Sequence, residues 1–161
     1  MAISYSLAVA APVDVRQVAH ATHQAARSLR LVDAHSNPDA FLDGADLVRG
    51  TWVLVAEAKV QPWNPVVADL GFTPTARLAF RLGKDGPLDP QVDDVLALSV
   101  GLLDHVAGDA VLHRDFEEIL LLRRAGQLLL NERDDLWTAQ RLAAVRPRPF
   151  RRETHAFSEE D

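Results

Sequence analysis

The chain has 161 residues, a hydrophobic fraction of 48% and a formal net charge of −6. That length predicts one domain able to bury a core unaided, and the absence of cysteine excludes thiol catalysis, disulfide frameworks and cysteine-based zinc sites. The acidic balance argues against a nucleic-acid partner, which calls for a basic footprint. No apolar run approaches the ~20 residues of a membrane span, and no secretory leader is apparent, so a soluble cytoplasmic protein is expected.

Residues Ile3 to Val9 alternate as a strand and end at Ala10-Ala11-Pro12. Proline suits the first helical position, so a helix is expected from about Val13 to Leu31, with Val15, Val18, Thr22, Ala25 and Leu29 as its apolar seam. Asn37-Pro38-Asp39 and Gly44 bracket a one- or two-turn helix. A strand over Thr51 to Ala58 follows, with Trp52, Leu54 and Ala56 on one face. Pro62-Trp63-Asn64-Pro65 opens a short helix through Leu70, closed by Gly71. In the next strand, Thr75 to Leu82, Leu78, Phe80 and Leu82 point one way and Arg77, Ala79 and Arg81 the other, as in a sheet with one wet face.

Asp89-Pro90 opens a long helix to about Val106, and Gly108 stands where a left-handed residue ends a helix. A strand from Asp109 to Asp115 leads to the plainest signal in the chain. Ile119-Leu120-Leu121-Leu122 and Leu128-Leu129-Leu130 flank Arg123-Arg124-Ala125-Gly126-Gln127, two apolar runs around a glycine-containing hairpin loop. Both are too apolar to have a face in water. A last helix is expected from Asp134 to Val145. The expected fold is α+β: a mostly antiparallel sheet of about six strands, two long helices on one face and a short C-terminal helix. Residues 1–145 would form the domain, and the Pro- and Arg-rich residues 146–161 a disordered tail. The other sheet face would be open, or partly covered by the Trp63 loop and the last helix.

Nothing in the chain reads as a nucleophile, a metal cage or a phosphate loop, so no catalytic residue, metal or cofactor is expected. At roughly 100° per residue, Arg16, His20, His23, Arg27 and Arg30 form one stripe on the first helix. It reads either as a docking strip for an acidic partner or as a solvated face in a chain with fifteen arginines and two lysines, a skew typical of a GC-rich bacterium. His20 and His23, with His113 or His105, offer too few converging ligands for zinc. Carboxylates cluster at Asp93-Asp94, Asp115-Glu117-Glu118 and Glu132-Asp134-Asp135. Paired carboxylates can hydrolyse sugars, but helix-start positions explain two of these clusters. Arg123 and Arg124 at the hairpin turn and Trp63 between two prolines are further candidates for partner binding.

The strand AISYSLAV, then RGTWVLV, LGFTPTARLAFRL and GDAVLHRDFEEILLLRRAGQLLLN with a tryptophan soon after, together resemble the swarming-inhibition (Sit) immunity family, third type. The resemblance covers about Ala2 to Trp137 and rests on strand and turn residues. It implies an immunity protein, a small cytoplasmic partner that binds a cognate toxin or other protein without catalysis, and it carries over no contact residues. Two other readings stay open: a small-molecule site on the open sheet face lined by Trp52, Phe80 and Trp63, and a hydrolase. The open face also leaves room for a homodimer.

Overall fold

In the computed structural model, which describes residues 3–158, the chain runs β1 (Ser4–Val9), α1 (Val15–Ser28), α2 (Ala40–Asp43), β2 (Ala45–Asp46), β3 (Trp52–Glu57), a π-helical turn (Val66–Leu70), β4 (Ala76–Arg81), α3 (Leu88–Leu103), β5 (Ala110–Arg114), β6 (Glu118–Arg124), β7 (Gln127–Leu130), α4 (Ala139–Val145) and β8 (Arg151–Arg152). The strands form one sheet in the order β2-β3-β4-β1-β5-β6-β7-β8. Neighbours are antiparallel except for the parallel pair β7–β8. The α+β architecture is as expected, but the sheet has eight strands rather than about six. The two unforeseen strands, β2 and β8, are two residues each, too short for any alternation to register in the sequence.

The helix starts lie elsewhere than the prolines suggest. Asp14, not Pro12, caps α1: its Oδ1 accepts the Gln17 N–H at 2.8 Å while Gln17 Oε1 accepts the Asp14 N–H at 3.2 Å, a reciprocal capping box. The helix stops at Ser28, short of Leu31. Pro90 falls inside the first turn of α3, where its missing N–H costs nothing. α4 begins only at Ala139, behind Thr138, whose hydroxyl accepts the Arg141 N–H at 3.3 Å.

α1 and α3 pack on one sheet face. Leu7, Val9, Val53, Val55, Leu78, Phe80 and Leu112 meet Val18, Ala25, Val95, Leu98 and Leu102 there, all buried. α4 joins this same side through Val145, with Trp137 just ahead of it, not the opposite face. Between β5 and β6 the register shifts: Leu112 faces Leu121 but His113 faces Ile119. Leu120 is the extra residue of a bulge. Leu120 and Leu121 consequently both enter the helix-side core, while Ile119 and Leu122 join a second cluster on the other face.

That second cluster comprises Val66, Leu70 and Phe72 from the π-helical turn region, Val111, Ile119, Leu122 and Leu129 from the sheet, and Phe157. The uniformly apolar hairpin is thereby covered on both faces. The expectation of a disordered segment from residue 146 onward fails for residues 146–158; residues 159–161 lie outside the described part. Glu153 N–H donates to Leu130 O at 2.9 Å, Arg152 Nε to Asn131 O at 2.8 Å, and Ser158 N–H to Asp69 Oδ2 at 2.9 Å. Composition suggested disorder because the local pattern is not periodic. What anchors the segment is one aromatic side chain and an exposed sheet edge, neither of which is local. Phe157→Ala is therefore expected to lower stability by about 2 kcal/mol, below the 3–5 kcal/mol of a central Phe truncation because the site is peripheral. Urea unfolding checks this, and a change within error would mean that the segment does not dock.

Candidate functional site

The α1 stripe is smaller and less basic than its spacing suggests. Arg16 Nη2 donates to Asp39 Oδ2 at 3.1 Å and His20 Nε2 lies 2.6 Å from Asp39 Oδ1. Hydrogen bonds from His20 and then Arg16 hold the Asp39 carboxyl below its usual range. His23 is buried and belongs to the seam. The Ser36 hydroxyl is spent on Asp33 O, so His23 Nε2–H donates to Ser36 Oγ at 2.7 Å. Burial, and then the charge of Arg27, push its pKa down, and its ring leans on Phe41. Arg27 remains exposed on the helix, whereas Arg30 lies beyond its end with φ at 59°.

Arg123 and Arg124 are not laid out as recognition groups at the turn. Arg123 donates to Leu103 O at 2.6 Å, Val106 O at 2.5 Å and Gly108 O at 2.8 Å. It thus satisfies the last carbonyl of α3 and two in the loop that follows it. Arg124 donates to Leu70 O at the end of the π-helical turn. Both guanidinium groups tie the hairpin to its neighbours, a role that sequence spacing alone does not reveal. Trp63, by contrast, is 76% exposed. It makes no part of either core cluster.

Five of the clustered carboxylates, Asp93, Asp94, Glu118, Asp134 and Asp135, are held by arginines. Asp93 accepts from Arg141 Nε at 2.6 Å, and Asp94, itself buried, takes Arg49 through two bonds at 2.5 and 3.0 Å. Glu118 and Asp135 share Arg133 at 2.5 and 2.6 Å. Two carboxylates poised across a common cleft are what hydrolysis by paired acids requires; each of these is instead bound to a guanidinium. Among the described residues no group of three or more His, Asp or Glu side chains is arranged to hold a metal.

The second sheet face, expected to be open, supplies an arrangement whose arginines the sequence did not single out as site residues. Beyond the part covered by Phe72 and Phe157, where Ala8 of β1 is buried, it carries Trp52, Leu54 and Ala56 from β3, Arg77, Ala79 and Arg81 from β4, and Ser4 and Ser6 from β1. The register places Arg77 between Ala8 and Ala56, and Arg81 between Ser4 and Trp52. The Arg81 guanidinium lies 5.4 Å from the Trp52 ring centroid, a cation–π distance. Phe80 is buried on the opposite face, so it cannot line a site here with Trp52 as expected.

At the end of this face a cavity of about 390 Å³ opens between Arg77, Lys59, Asn64, Val66, His113 and Phe116. His113 is buried, stacked on Phe116 at 4.3 Å between ring centroids and met edge-on by Phe157 at 5.6 Å. Its Nδ1 accepts the Phe116 N–H at 3.1 Å, which leaves the hydrogen of the neutral ring on Nε2. Asp115 and Phe116 hold φ at 51° and 59°, uncommon for non-glycine residues, and this turn is what brings the Phe116 N–H and ring back over His113. Burial pushes the His113 pKa down to about 4. A smaller cavity of about 270 Å³ lies between α3 and α4, against Leu96, Val100 and Trp137.

The arrangement defines an α+β protein with helices on one side of its sheet and, on the other, a partly open, arginine-bearing face. The SitI3-like family model matches residues 3–141, and the chain belongs to that family. The match spans the strand phrases that carry the Sit resemblance. No curated protein and no solved structure matches the chain. Among the described residues no helix is long and apolar enough to cross a membrane.

Proposed function

We propose that this chain is an immunity protein that neutralises a cognate bacterial toxin by direct protein–protein contact, without catalysis, in the cytoplasm of the cell it protects. The observation that carries this reading is the SitI3-like family match over residues 3–141. The side chains are consistent with it. Asp93, Asp94 and Glu118 are committed to arginines, whereas aromatic and guanidinium groups, the residue types that dominate binding hot spots, stand on the exterior. Neutralisation by contact needs only a rigid surface complementary to the toxin.

Co-expression with the toxin-like protein encoded beside it is expected to restore growth to toxin-producing cells and to yield a complex that survives gel filtration. Growth arrest that the chain does not relieve, with no complex, would overturn the proposal.

A further inference from the structure

We infer that the open half of the second sheet face, centred on Arg77, Arg81 and the cavity at His113, is the surface that receives the partner protein, and that the partner presents carboxylates to it. The partner's identity as a toxin rests on the function proposed above; the surface and its chemistry rest on the following geometry.

Arg16, Arg49, Arg133, Arg141, Arg148 and Arg152 each hold a carboxylate of this chain. Arg77 and Arg81 are exposed, and no carboxylate among the described residues lies within ion-pair distance of either. Their register neighbours Ala8, Ala56, Ser4 and Trp52 are small or apolar, so both guanidinium groups stand clear of competing acceptors. An arginine already stacked on an aromatic ring loses less conformational freedom when it binds a carboxylate, and Arg81 is so stacked on Trp52.

The cavity adds a directed donor. His113 is 4% exposed, its Nδ1 is occupied by the Phe116 N–H, and its Nε2–H has no acceptor among the described residues. His113 lines the cavity, and a carboxylate entering there would accept from this free N–H beside Arg77. Lys59 adds a second positive charge at the rim; the carboxylates nearby are Glu57 at the rim and Asp115, whose charge reaches His113, and neither pairs with Arg77. The other acid on this face, Asp46, sits at the sheet edge opposite Trp52. Exposed Phe116 lines the cavity as an apolar anchor, and exposed Trp63 directly precedes the lining residue Asn64. The competing surface, the α1 stripe, carries Asp39 between Arg16 and His20, and in the pocket beside it the His23 Nε2–H is already given to Ser36 Oγ.

The test is a titration with the peptide acetyl-(Glu)6-amide at low salt, followed by the NMR signals of the arginine Nε–H, tryptophan indole and histidine side chains. Saturable shifts are expected at Arg77, Arg81, Trp52 and His113. They should vanish in Arg77→Glu/Arg81→Glu and in the milder Arg77→Ala/Arg81→Ala, and persist in Arg16→Glu/Arg27→Glu/Arg30→Glu, with unfolding curves confirming that each variant folds. Shifts confined to α1, or none at millimolar peptide, would overturn the inference. With the toxin the chain protects against, Arg77→Glu/Arg81→Glu should weaken binding at least ~100-fold, as expected for two hot-spot arginines, and the α1 triple variant by less than ~3-fold. The reverse order overturns the inference. If the wild type binds no toxin at all, it is the immunity reading that fails, and the peptide titration decides the surface by itself.

Discussion

Replacing Gln91 with leucine is expected to lower the free energy of unfolding by about 4 kcal/mol, at the upper end of single-site effects. Gln91 is fully buried in the first turn of α3. Its Oε1 accepts the Gly83 N–H at 2.6 Å and the Thr51 hydroxyl at 3.1 Å, and its Nε2 donates to Gly83 O at 3.0 Å and Pro87 O at 3.3 Å. One carboxamide therefore satisfies the turn after β4, the start of β3 and the approach to α3 together. Leucine matches its volume but leaves the Gly83 N–H and the buried Thr51 hydroxyl without partners, at about 1–3 kcal/mol each. Urea unfolding of Gln91→Leu measures the loss. The double variant Thr51→Val/Gln91→Leu should recover part of it, because the stranded hydroxyl is then gone. A loss under about 1 kcal/mol would show that water replaces these bonds freely and that the carboxamide is not the joint described.

Acid should destabilise the protein through His113, by about 3 kcal/mol between pH 7 and pH 4. Burial lowers the pKa of this ring from 6.5 to about 4 in the folded state. The unfolded chain binds the proton at the ordinary pKa and the folded one does not. The contribution is therefore complete above pH 6.5, declines as the pH falls from there to about 4, and levels off below that. Asp115 opposes the shift and Arg77 adds to it, both less than burial does. His113→Phe should remove this part of the pH dependence, read as the difference between the unfolding midpoints of wild type and variant at pH 7, 5.5 and 4.5. An NMR titration of the native ring provides the direct check. Protonation of folded His113 near pH 6.5 would mean that water reaches the ring and that the cavity floor is not dry.

The contrast between His23 and His113 shows where reading along the chain stops. Placing His23 among charged residues at helical spacing was geometrically sound, yet the ring is buried, because residues 33–36 fold back and offer it the Ser36 hydroxyl. His113 carried no local signal at all. Its environment comes from a bulge, a turn with positive φ and Phe157, which lies 44 positions further along the sequence. Arg123 and Arg124 make the same point. Polar residues at a hairpin turn suggest display, but carbonyls at the ends of α3 and of the π-helical turn lie within their reach. Arg77 and Arg81 were legible as the wet side of a strand; that no carboxylate answers them was not, since ion pairing depends on elements remote in sequence.

The sequence by itself determined the alternation of strands and helices, the apolar hairpin at the centre of the sheet, which side of β4 faces the helices, and the family. These follow from local periodicity, turn chemistry and residue order, which any nearby window of the chain contains. Tertiary structure alone decided the two-residue edge strands, the docking of residues 146–158, the face on which α4 packs, and which charged groups are spent inside the molecule. Each of those depends on the partner that a side chain or backbone edge meets across the fold, and an unpaired edge, a freed carbonyl or a buried carboxylate selects that partner by proximity in space.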